Sequence, residues 1–447
     1  MARSARIDKL GTDWAALLMG TGIGLTVALQ LTTMKRADFR DVYQWLDTVA
    51  RVCALLGTYF ALVGILFVAR IPWVERGVGH DRLVTWHRKL APYSLFLIGF
   101  HVLLVLIGYA GEEHIALYKE SWKLLTQYPW MWGAFLGFVL MVQAGVTSYK
   151  KARAKLSYES WWLLHTLTYV SVAAAMMHQI SNGPMFLNHP LNKLFWVLLY
   201  VAVAFSIVVW RIGIPLWKSV RHDLKVDRVI VEGPGVVSVV IRGRALHRLG
   251  AQGGQFFNWR FAQKGHFLLQ HPYSLSAAPK DKFLRITVKD LGDHSRDLIN
   301  LKTGTRVFME GPYGAFTANR ATRKHVVMVA GGVGITPIRA IAEEFGDSVR
   351  IDILYRVSKE SELVLRKELD YMAEKSAGSI KVHYLVGSRT QHPMSANYIQ
   401  KYVPYFADSD VYVCGPEGMV DAVRNAARQV GVPKNRFHDE AFAFHSS

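Results

Sequence analysis

Residues Trp86 to His101 read WHRKLAPYSLFLIGFH, a basic start followed by an apolar run with a histidine near each end. His87 and His101 are 14 residues apart. On an α-helix this spacing is a rotation of about 1400°, within roughly 40° of one face, and a rise of about 21 Å. The two side chains therefore lie on one stripe at two depths of a membrane. An ionisable residue within a membrane span is by default a functional candidate, although any single one of these histidines could serve packing alone.

A second apolar stretch, WWLLHTLTYVSVAAAMMH, carries His165 and His178. Two helices with two histidines each predict two bis-histidine haem sites, stacked across the bilayer. The pairs are His87 with His165 and His101 with His178. The 13 residues from His165 to His178 rotate a straight helix by about 220°, so these two rings do not share a face. Either the helix loosens before Ser181-Asn182-Gly183-Pro184, or the two haems are laterally offset.

Length and hydropathy divide the chain into unequal parts. A chain of 447 residues favours two or three domains, and from about Arg221 onward the composition is that of an ordinary soluble protein. The first half contains six apolar stretches that are long enough to span, which predicts an all-α six-helix transmembrane bundle. They are residues 13–34, 49–70, 88–110, 130–148, 160–180 and 192–213. No cleavable signal peptide is expected before them.

The net charge of +19 is distributed in a way that favours contact with membrane lipid over binding of nucleic acid. If six spans alternate, the lysine and arginine clusters fall on one side and the acidic residues on the other. The positive-inside rule then predicts a multi-pass protein of the cell membrane with both termini in the cytoplasm. The two cysteines, Cys53 and Cys414, imply no disulfide framework.

Arg51 opens the second predicted span at its outer boundary. One interpretation is that its side chain simply reaches the aqueous interface. The other is that it faces a haem propionate or a small anionic product near the outer haem.

In the second half, short alternating segments from Leu224 to Phe316 predict a small antiparallel β-barrel. This region contains His271-Pro272-Tyr273-Ser274 and Gly292-Asp293-His294-Ser295. Alternation puts Tyr273 and Ser274 on opposite faces of a strand, so one can lie along a flavin ring while the other approaches its reactive edge. The second motif can offer backbone N–H groups and a hydroxyl to a pyrophosphate. Taken alone, each motif could be turn chemistry.

After Arg323 the pattern changes to strand, glycine loop and helix. HVVMVAGGVGITPIRAIAEEF contains an apolar strand, the loop from Gly331 to Pro337 and a helix whose N-terminus favours phosphate. The loop lacks the full GxGxxG spacing and is by itself a weak signal. Further strands at 350–355, 380–386 and 410–414 predict an α/β domain with a parallel sheet. The last of them ends in Cys414-Gly415-Pro416, at the edge where such sheets bind ligands.

HPYSLSAAP, GDHS, GPYGAF, GGVGITP, CGPEGM and FHDEAFAF, in that order, closely resemble the ferredoxin reductase family of flavoprotein modules. Joined to a six-span domain with two histidine pairs, nearly the whole chain resembles the ferric reductase and NADPH oxidase superfamily. Even the uneven histidine spacings match that superfamily. The resemblance implies three domains: a transmembrane di-haem domain over residues 1–220, an FAD-binding β-barrel over 221–320 and an NAD(P)H-binding α/β domain over 321–447.

The resemblance also implies a role for residues of each flavin motif. FAD would be bound by His271, Pro272, Tyr273 and Ser274, with Gly292 and Ser295 at its pyrophosphate. Ser274 and Cys414 would lie near the flavin N5 and the nicotinamide C4. Glu440 would belong to the hydride-transfer region. Phe442 would cover the isoalloxazine, with Phe444 as the rival for that position.

For the nicotinamide nucleotide, the resemblance implies contacts along the two loops at the edge of the sheet. The residues are Gly331, Gly332, Gly334, Thr336, Pro337, Cys414, Gly415 and Pro416. Candidates for a 2′-phosphate are Arg356, Ser388 and Arg389. The two arginines favour NADPH, with NADH possible, because a guanidinium pairs bidentately with phosphate. Surface arginines on solvated loops are the alternative interpretation.

The implied activity is that of an NAD(P)H oxidase or ferric reductase that moves electrons from cytosolic NADPH through FAD and two b-type haems to an extracytoplasmic acceptor. The sequence lacks a CxxCH site for covalent haem attachment. Superoxide formation from O₂ is the leading hypothesis, because Arg51 can attract an anion and HPYSLSAAP is similar to the flavin motif of NADPH oxidases. A ferric-chelate reductase, or an electron-transfer subunit serving a partner protein, is the alternative. No obligatory activating subunit is expected.

Overall fold

The computed structural model describes residues 2–187, 189–263, 270–346 and 348–442. It divides into two compact units, Met1–Ile214 and Pro215–Ser447. The domain boundaries at residues 220 and 320 stay predictions from the sequence.

The first unit is helical, and the last of its helices continues through a π-helical stretch, Ile207–Gly213, toward the second unit. The helices are α1 (Ala2–Leu31), α2 (Val42–Val68), α3 (Pro72–Val78), α4 (His80–Glu112), α5 (Leu117–Gln127), α6 (Met131–Ser148), α7 (Lys150–Arg153), α8 (Tyr158–Asn182), α9 (Pro184–Leu187) and α10 (Pro190–Ser206). Asp41 caps α2, because its carboxylate accepts hydrogen bonds from the N–H groups of Tyr43 and Gln44.

Four helices in the described part of the chain are long and apolar enough to cross a membrane: Val42–Val68, Arg82–Glu112, Met131–Ser148 and Pro190–Arg221. The apolar part of α1, Ala16–Leu31, is shorter. The other predicted span corresponds to α8, which has 25 residues, but polar side chains such as His165 and His178 lower its hydropathy. The first half of the chain is therefore a helical membrane region, in which four of the six predicted spans meet these criteria.

Helix α8 is α-helical without interruption from Tyr158 to Asn182. The loosening before Ser181 that the sequence left open is therefore wrong. His165 and His178 project from different sides of one regular helix, which leaves a lateral offset between the two histidine levels.

Helices α6 and α8 pack in backbone contact. A Cβ atom added at Gly133 would lie 2.8 Å from the carbonyl oxygen of Ala174, and one added at Gly137 would lie 2.7 Å from that of Ser171. The Ser171 hydroxyl donates a hydrogen bond to the Gly137 carbonyl oxygen at 2.5 Å. Two glycines four residues apart thus permit the close approach that is common between membrane helices.

The helix α11 (Ile214–Arg221) spans the boundary between the two units. Six strands follow it and form two three-stranded antiparallel sheets with the orders β1-β2-β5 and β4-β3-β6. The strands are β1 (Lys225–Gly233), β2 (Val236–Arg242), β3 (Phe256–Phe261), β4 (His271–Ser274), β5 (Phe283–Lys289) and β6 (Val307–Tyr313), followed after β5 by the short helix α12 (Asp293–Asp297). Isolated bridges, Lys225 with Arg306 and Leu275 with Ile286, join the sheets around one apolar core. The antiparallel arrangement agrees with the sequence. Within the described residues the strands form two bridged sheets, and a closed barrel stays a prediction.

The remaining strands form a five-stranded parallel sheet with the order β11-β10-β7-β8-β9. They are β7 (His325–Gly331), β8 (Arg350–Val357), β9 (Ile380–Val386), β10 (Asp410–Pro416) and β11 (Phe437–Phe442), and the helices are α13 (Ile335–Glu344), α14 (Arg366–Lys375), α15 (Ala396–Tyr402) and α16 (Glu417–Gln429). Separate apolar cores cover the two faces of the sheet. The strand order reverses between β7 and β10, and such a switch point is where open α/β sheets bind ligands.

Candidate functional site

His87 on α4 and His165 on α8 face each other in the first unit. Their ring centroids are 6.0 Å apart and their planes are inclined by 84°. The Nδ1 of His87 lies 2.9 Å from the carbonyl oxygen of Gly64, and the Nδ1 of His165 lies 3.3 Å from the Ser148 hydroxyl. Because a carbonyl oxygen only accepts, His87 donates through Nδ1–H and keeps the lone pair of Nε2 free for a metal.

His101 and His178 form the second pair. The Nδ1 of His101 lies 3.1 Å from the carbonyl oxygen of Ala50, so His101 has the same tautomer as His87. The Nδ1 of His178 is buried and makes no bond of full hydrogen-bond geometry within the described residues, although its ring approaches the carbonyl of Ala175 one turn earlier on α8. Both rings line one cavity of about 410 Å³ whose walls are mostly apolar.

Helix α2 contacts a histidine of each pair, His87 and His101. Gly64 and Ala50 are 14 residues apart on α2, and their partners His87 and His101 are 14 residues apart on the neighbouring α4. One straight helix thus supplies a backbone acceptor at each level. Such outer hydrogen bonds fix the tautomer and orientation of metal-binding imidazoles. These features fit the bis-histidine haems that the sequence predicts. The imidazoles are paired, carbonyl groups of α2 orient His87 and His101, and an apolar cavity lies beside His101 and His178.

Arg51 lies where this apolar cavity meets a second, polar cavity of about 330 Å³. Arg51 forms an ion pair with Asp47, one turn earlier on α2. The polar cavity is also lined by Glu112 and Glu113 at the end of α4. Arg51 therefore lines the same cavity as His101 and His178, and Asp47, a partner that was not predicted from the sequence, balances its charge.

The flavin motif His271–Ser274 forms the edge strand β4, which pairs with β3. An edge position accommodates Pro272, which has no N–H to donate. The rings of His271 and Tyr273 stack with centroids 5.9 Å apart, and the Trp259 indole donates to the Tyr273 carbonyl oxygen at 3.0 Å. Ser274 is buried, and burial raises the pKa of the Tyr273 phenol, which stays neutral.

The GDHS motif is a closed turn that leads into the short helix α12. The Ser295 hydroxyl accepts from the N–H of Leu291 at 2.8 Å and donates to the Gly292 carbonyl oxygen at 2.9 Å. Asp290 accepts from the N–H of Gly292 at 3.3 Å and from Arg296 at 2.9 Å. The Ser295 hydroxyl thus supports the turn itself, while its expected contact with a pyrophosphate stays a prediction.

The glycine loop after β7 packs directly against the turn after β10. A Cβ atom on Gly334 would lie 2.2 Å from the Cys414 carbonyl oxygen, and one on Gly415 would lie 3.1 Å from the backbone of Gly331. Gly332 has a φ of +54°, a conformation that favours glycine. Thr336 and Pro337 are buried in the first turn of α13. The two predicted nucleotide-binding segments therefore lie together at the switch point of the sheet.

Cys414 and Glu440 are opposite each other in the pairing of β10 with β11. Cys414 is 0% exposed. Burial and the neighbouring charge of Glu440 raise the pKa of the Cys414 thiol well above its ordinary value. The sulfur is therefore a neutral thiol at physiological pH and not a nucleophile.

Phe442 is the last residue of β11, where its backbone pairs with Pro416 of β10. The side chain of Phe442 and all of Phe444 lie outside the described residues. Their expected roles over the flavin stay predictions.

Arg356 ends β8 opposite Gly331 of the glycine loop. Its Nε is buried and has no hydrogen-bond partner within the described residues. Burial and the charge of Arg389 lower the pKa of Arg356. Ser388 lies in the same loop as Arg389, with its hydroxyl 2.8 Å from that of Thr390. Two guanidinium groups that repel each other favour an anion between them.

Three family models match this chain. The transmembrane component of ferric reductase-like proteins matches residues 53–176, an FAD-binding domain matches 221–317 and an oxidoreductase NAD-binding domain matches 328–425. The chain belongs to the ferric reductase and NADPH oxidase-like superfamily. Its second half is the ferredoxin reductase-like module of that superfamily, and the matched domains are those of an oxidoreductase. The transmembrane match includes three of the four paired histidines and ends before His178.

Individual relatives resemble only part of this superfamily member. NADH-cytochrome b5 reductase 1 of Candida glabrata is 29% identical over 180 residues, which are 36% of this chain and 63% of that protein. Flavohemoprotein B of Dictyostelium discoideum is 27% identical over 256 residues, 51% of this chain and 60% of that protein. The chain thus spans less than two thirds of these relatives. The flavohaem-like FAD/NAD-binding domain of nitric oxide dioxygenase from Vibrio cholerae is 25% identical, with a TM-score of 0.42, 50% of this chain and 99% of that chain covered.

Several polar groups in the wall of the cavity beside His101 and His178 were not among the residues predicted from the sequence. They are Gln30, Asp47, Thr58, Gln179 and Tyr200. Isolated polar residues on apolar helices form no motif, so nothing in the pattern relates one to another. The available signal was their cost in a membrane, which marks such residues as candidates, and the position of Gln179 next to His178.

Proposed function

We propose that the chain carries electrons from cytosolic NADPH to an acceptor on the opposite side of the membrane, most readily O₂, which is reduced to superoxide. The observation that carries this proposal is the arrangement of two histidine pairs at two levels, with His87 and His101 anchored through Nδ1 to carbonyls of α2. When bound, FAD converts hydride transfer into single-electron transfer and the two haems relay those electrons.

The proposed route requires six membrane crossings. Helix α8, with 25 residues, is about 37 Å long and can span a bilayer. Its low hydropathy has a cause in its histidines, which face other helices. The distribution of basic residues supports a cell-membrane protein with both termini in the cytoplasm, which makes His87 and His165 the inner pair.

In the soluble half, the residues at the sheet edge bind and orient the nucleotide. The glycine loop and the Cys414-Gly415 turn allow a dinucleotide to approach the backbone closely. Arg356 and Arg389 pair with a 2′-phosphate, which favours NADPH. His271, Pro272, Tyr273 and Ser274 hold the flavin. Cys414 contributes a neutral thiol, while Glu440 and Phe442 complete the hydride-transfer region.

At the outer end, His101 and His178 would both hold the haem iron, so an acceptor would take its electron without binding the metal. Arg51 lines the cavity that His101 and His178 also line. Asp47 pairs with the Arg51 guanidinium and holds it in orientation, and the remaining N–H donors of the guanidinium can bind a small anion such as superoxide. These groups support O₂ as the acceptor.

A ferric chelate is the second candidate acceptor. The polar cavity of about 330 Å³ beside Arg51 leaves room for a molecule larger than O₂. A third possibility within the same electron path is delivery to a partner protein, in which case the chain alone would turn over slowly.

The test is NADPH consumption by the purified full-length protein, supplied with FAD and haem, in air. Reduction of cytochrome c is measured with and without superoxide dismutase, beside a haem spectrum. A low-spin bis-histidine spectrum with dismutase-sensitive reduction supports the proposal, and His101→Leu should abolish that reduction while NADPH still reduces the flavin. Turnover that requires ferric citrate would identify a ferric chelate as the acceptor, and turnover that requires a partner protein would identify that protein as the acceptor. A wild-type protein that retains no haem would refute the electron path.

A further inference from the structure

The outer half of α8 is held on two flanks. On one flank, the backbone carbonyl of Ser171 contacts α6 at Gly137, with the Ser171 hydroxyl bonded to the Gly137 carbonyl. On the other, Gln179 is hydrogen-bonded to two further helices. Its Nε2 donates to the Thr58 hydroxyl of α2 at 2.7 Å, and its Oε1 accepts from the Tyr200 hydroxyl of α10 at 2.9 Å.

Both partners of Gln179 are buried, with Thr58 5% and Tyr200 8% exposed. Donor and acceptor of the amide are each used once, so the bonds fix the side chain in one orientation. In an apolar interior an unpaired polar group is costly. Rotation of α8 about its axis would break both hydrogen bonds together, so these bonds hold the helix in one rotational orientation.

The hydrogen bonds of Gln179 act on His178, which is the preceding residue on α8. His178 shares a face of α8 with Ser171, Ala175 and Asn182, at the i, i+3 and i+4 spacings, and all four line the outer cavity. Ser171, which contacts α6, projects about 20° from His178, and Gln179, which contacts α2 and α10, projects about 100° from it in the same sense. The two contacts together fix the rotation of α8 and with it the direction in which His178 points.

His178 needs such support from elsewhere. His87 and His101 are oriented by carbonyls of α2, whereas the ring of His178 approaches the carbonyl of Ala175, one turn earlier on its own helix. That contact turns with α8 and does not fix the ring against a neighbouring helix. The orientation of His178 depends on the rotation of its helix. The 13-residue spacing of the two histidines also has a structural consequence. Gln179, and not His178, lies within about 40° of the face of α8 that carries His165. Gln179 makes the hydrogen bonds to α2 and α10, and His178, one residue earlier, carries the imidazole.

We infer that Gln179, through Thr58 and Tyr200, is the positioning residue that aims His178 at the outer haem. This inference rests on the proposed di-haem function. The contact of Gln179 lies beside His178 and about four turns from His165 along α8. His165 has its own contacts with Ser148 and Trp161, so we expect the larger effect at the outer haem. The inner haem is therefore an internal reference in every sample.

The experiment compares full-length Gln179→Leu, Thr58→Val and Tyr200→Phe with wild type. Gln143→Leu is the matched control, since Gln143 is a membrane glutamine paired with Thr147 on α6 and is absent from the cavity wall. Haem content, redox titration of the two haem components and low-temperature electron paramagnetic resonance are the measurements. We expect Gln179→Leu to weaken retention of the outer haem about tenfold, the lower end for lost outer-shell support, and to change its resonance signature.

The single-partner variants should give smaller changes of the same kind, and Gln143→Leu none. An intact inner-haem signal in the same sample shows that the variant is folded. Unchanged content, potential and resonance of the outer haem in Gln179→Leu would overturn the inference, as would equal losses of both haems. Absence of haem from the wild type would instead refute the proposed function.

Discussion

At the scale of single residues, the site depends on atoms with one available role. The carbonyls of Gly64 and Ala50 only accept, so they determine which nitrogen of His87 and His101 keeps a free lone pair. In the soluble half, the Cys414 carbonyl oxygen leaves no room for a side chain on Gly334. Both effects are steric or directional, and each can be tested with one substitution.

Gly334→Ala should damage the nucleotide site. The added methyl would lie 2.2 Å from the Cys414 carbonyl oxygen, so the loop must move, at about 1–3 kcal/mol for overpacking. We expect a several-fold higher KM for NADPH and a lower thermal midpoint. Gly418→Ala, in the first turn of α16 and with open space around it, is the control. Equal kinetics for the two variants would contradict the close packing described above.

Arg356→Ala and Arg389→Ala test the choice of nucleotide. Each substitution removes a charge-assisted bond to a 2′-phosphate, worth about 1.5–3 kcal/mol, so kcat/KM for NADPH should fall roughly tenfold to a hundredfold. The value for NADH should change little. Arg428→Ala removes the same charge from an exposed position on α16 and serves as the reference. Parallel losses with both nucleotides would mean that these arginines support the fold and do not read the phosphate.

At the scale of elements, a charged network joins β5 to helices α13 and α14 in the second unit. Arg285 on β5 donates to both carboxylate oxygens of Glu368 on α14, at 2.5 and 2.9 Å. Arg339 on α13 reaches Glu368 at 2.9 Å and also pairs with Glu343. Arg285 further donates to the Ser276 carbonyl oxygen at 2.9 Å, two residues after the flavin motif. The network ties the flavin strand to the nucleotide-binding layer.

This network should make the stability of the soluble half depend on pH. Burial alone would raise the pKa of Glu368, but its hydrogen bond and charge contacts with Arg285, and the charge of Arg339, outweigh burial and hold that pKa below the ordinary 4.5. The stabilisation is therefore complete above about pH 4.5 and is lost as pH falls below that value. Thermal unfolding of the full chain, followed by flavin fluorescence between pH 7 and pH 4, measures it.

Glu368→Gln should remove about 1–2 kcal/mol at pH 7, a modest value because the carboxylate is 33% exposed. The acid-dependent part of the loss should shrink in this variant. Glu374→Gln, on the exposed side of the same helix, should leave both stability and its pH profile unchanged. A wild-type profile that is flat down to pH 4 would exclude the network as a source of stability.

At the scale of the whole molecule, the direction of electron flow depends on topology. With six crossings, α5 lies outside the cell and α7 inside. Lys119→Cys and Lys151→Cys, both at exposed positions, test this in a Cys53→Ala background, where the remaining Cys414 is buried. A membrane-impermeant maleimide should label residue 119 in intact cells and residue 151 only after permeabilisation. Labelling of both from one side would contradict six alternating spans.

Sequence reasoning was most successful where a function resides in a local pattern. HPYSLSAAP and GGVGITP are contiguous motifs, and the family matches confirm the superfamily that they indicated. The predicted span at residues 160–180 coincides with α8. Helix α8 is not among the four helices that meet the length and hydropathy criteria, because polar residues such as His165 and His178 lower its hydropathy, so this span stays a prediction. The loosening considered for α8 was wrong, since helix geometry is set by backbone bonds that no side-chain spacing reveals.

The sequence by itself determined the superfamily, the order of the domains and the two pairs of histidines, because motifs and spacing along one helix are local properties. Only the tertiary structure decided which carbonyl anchors each imidazole, that Asp47 balances Arg51 and that Cys414 is buried. It alone related Gln179 to Thr58, 121 residues away. These relations join residues that are distant in the chain, and they arise from how helices and strands pack, which a linear pattern does not record.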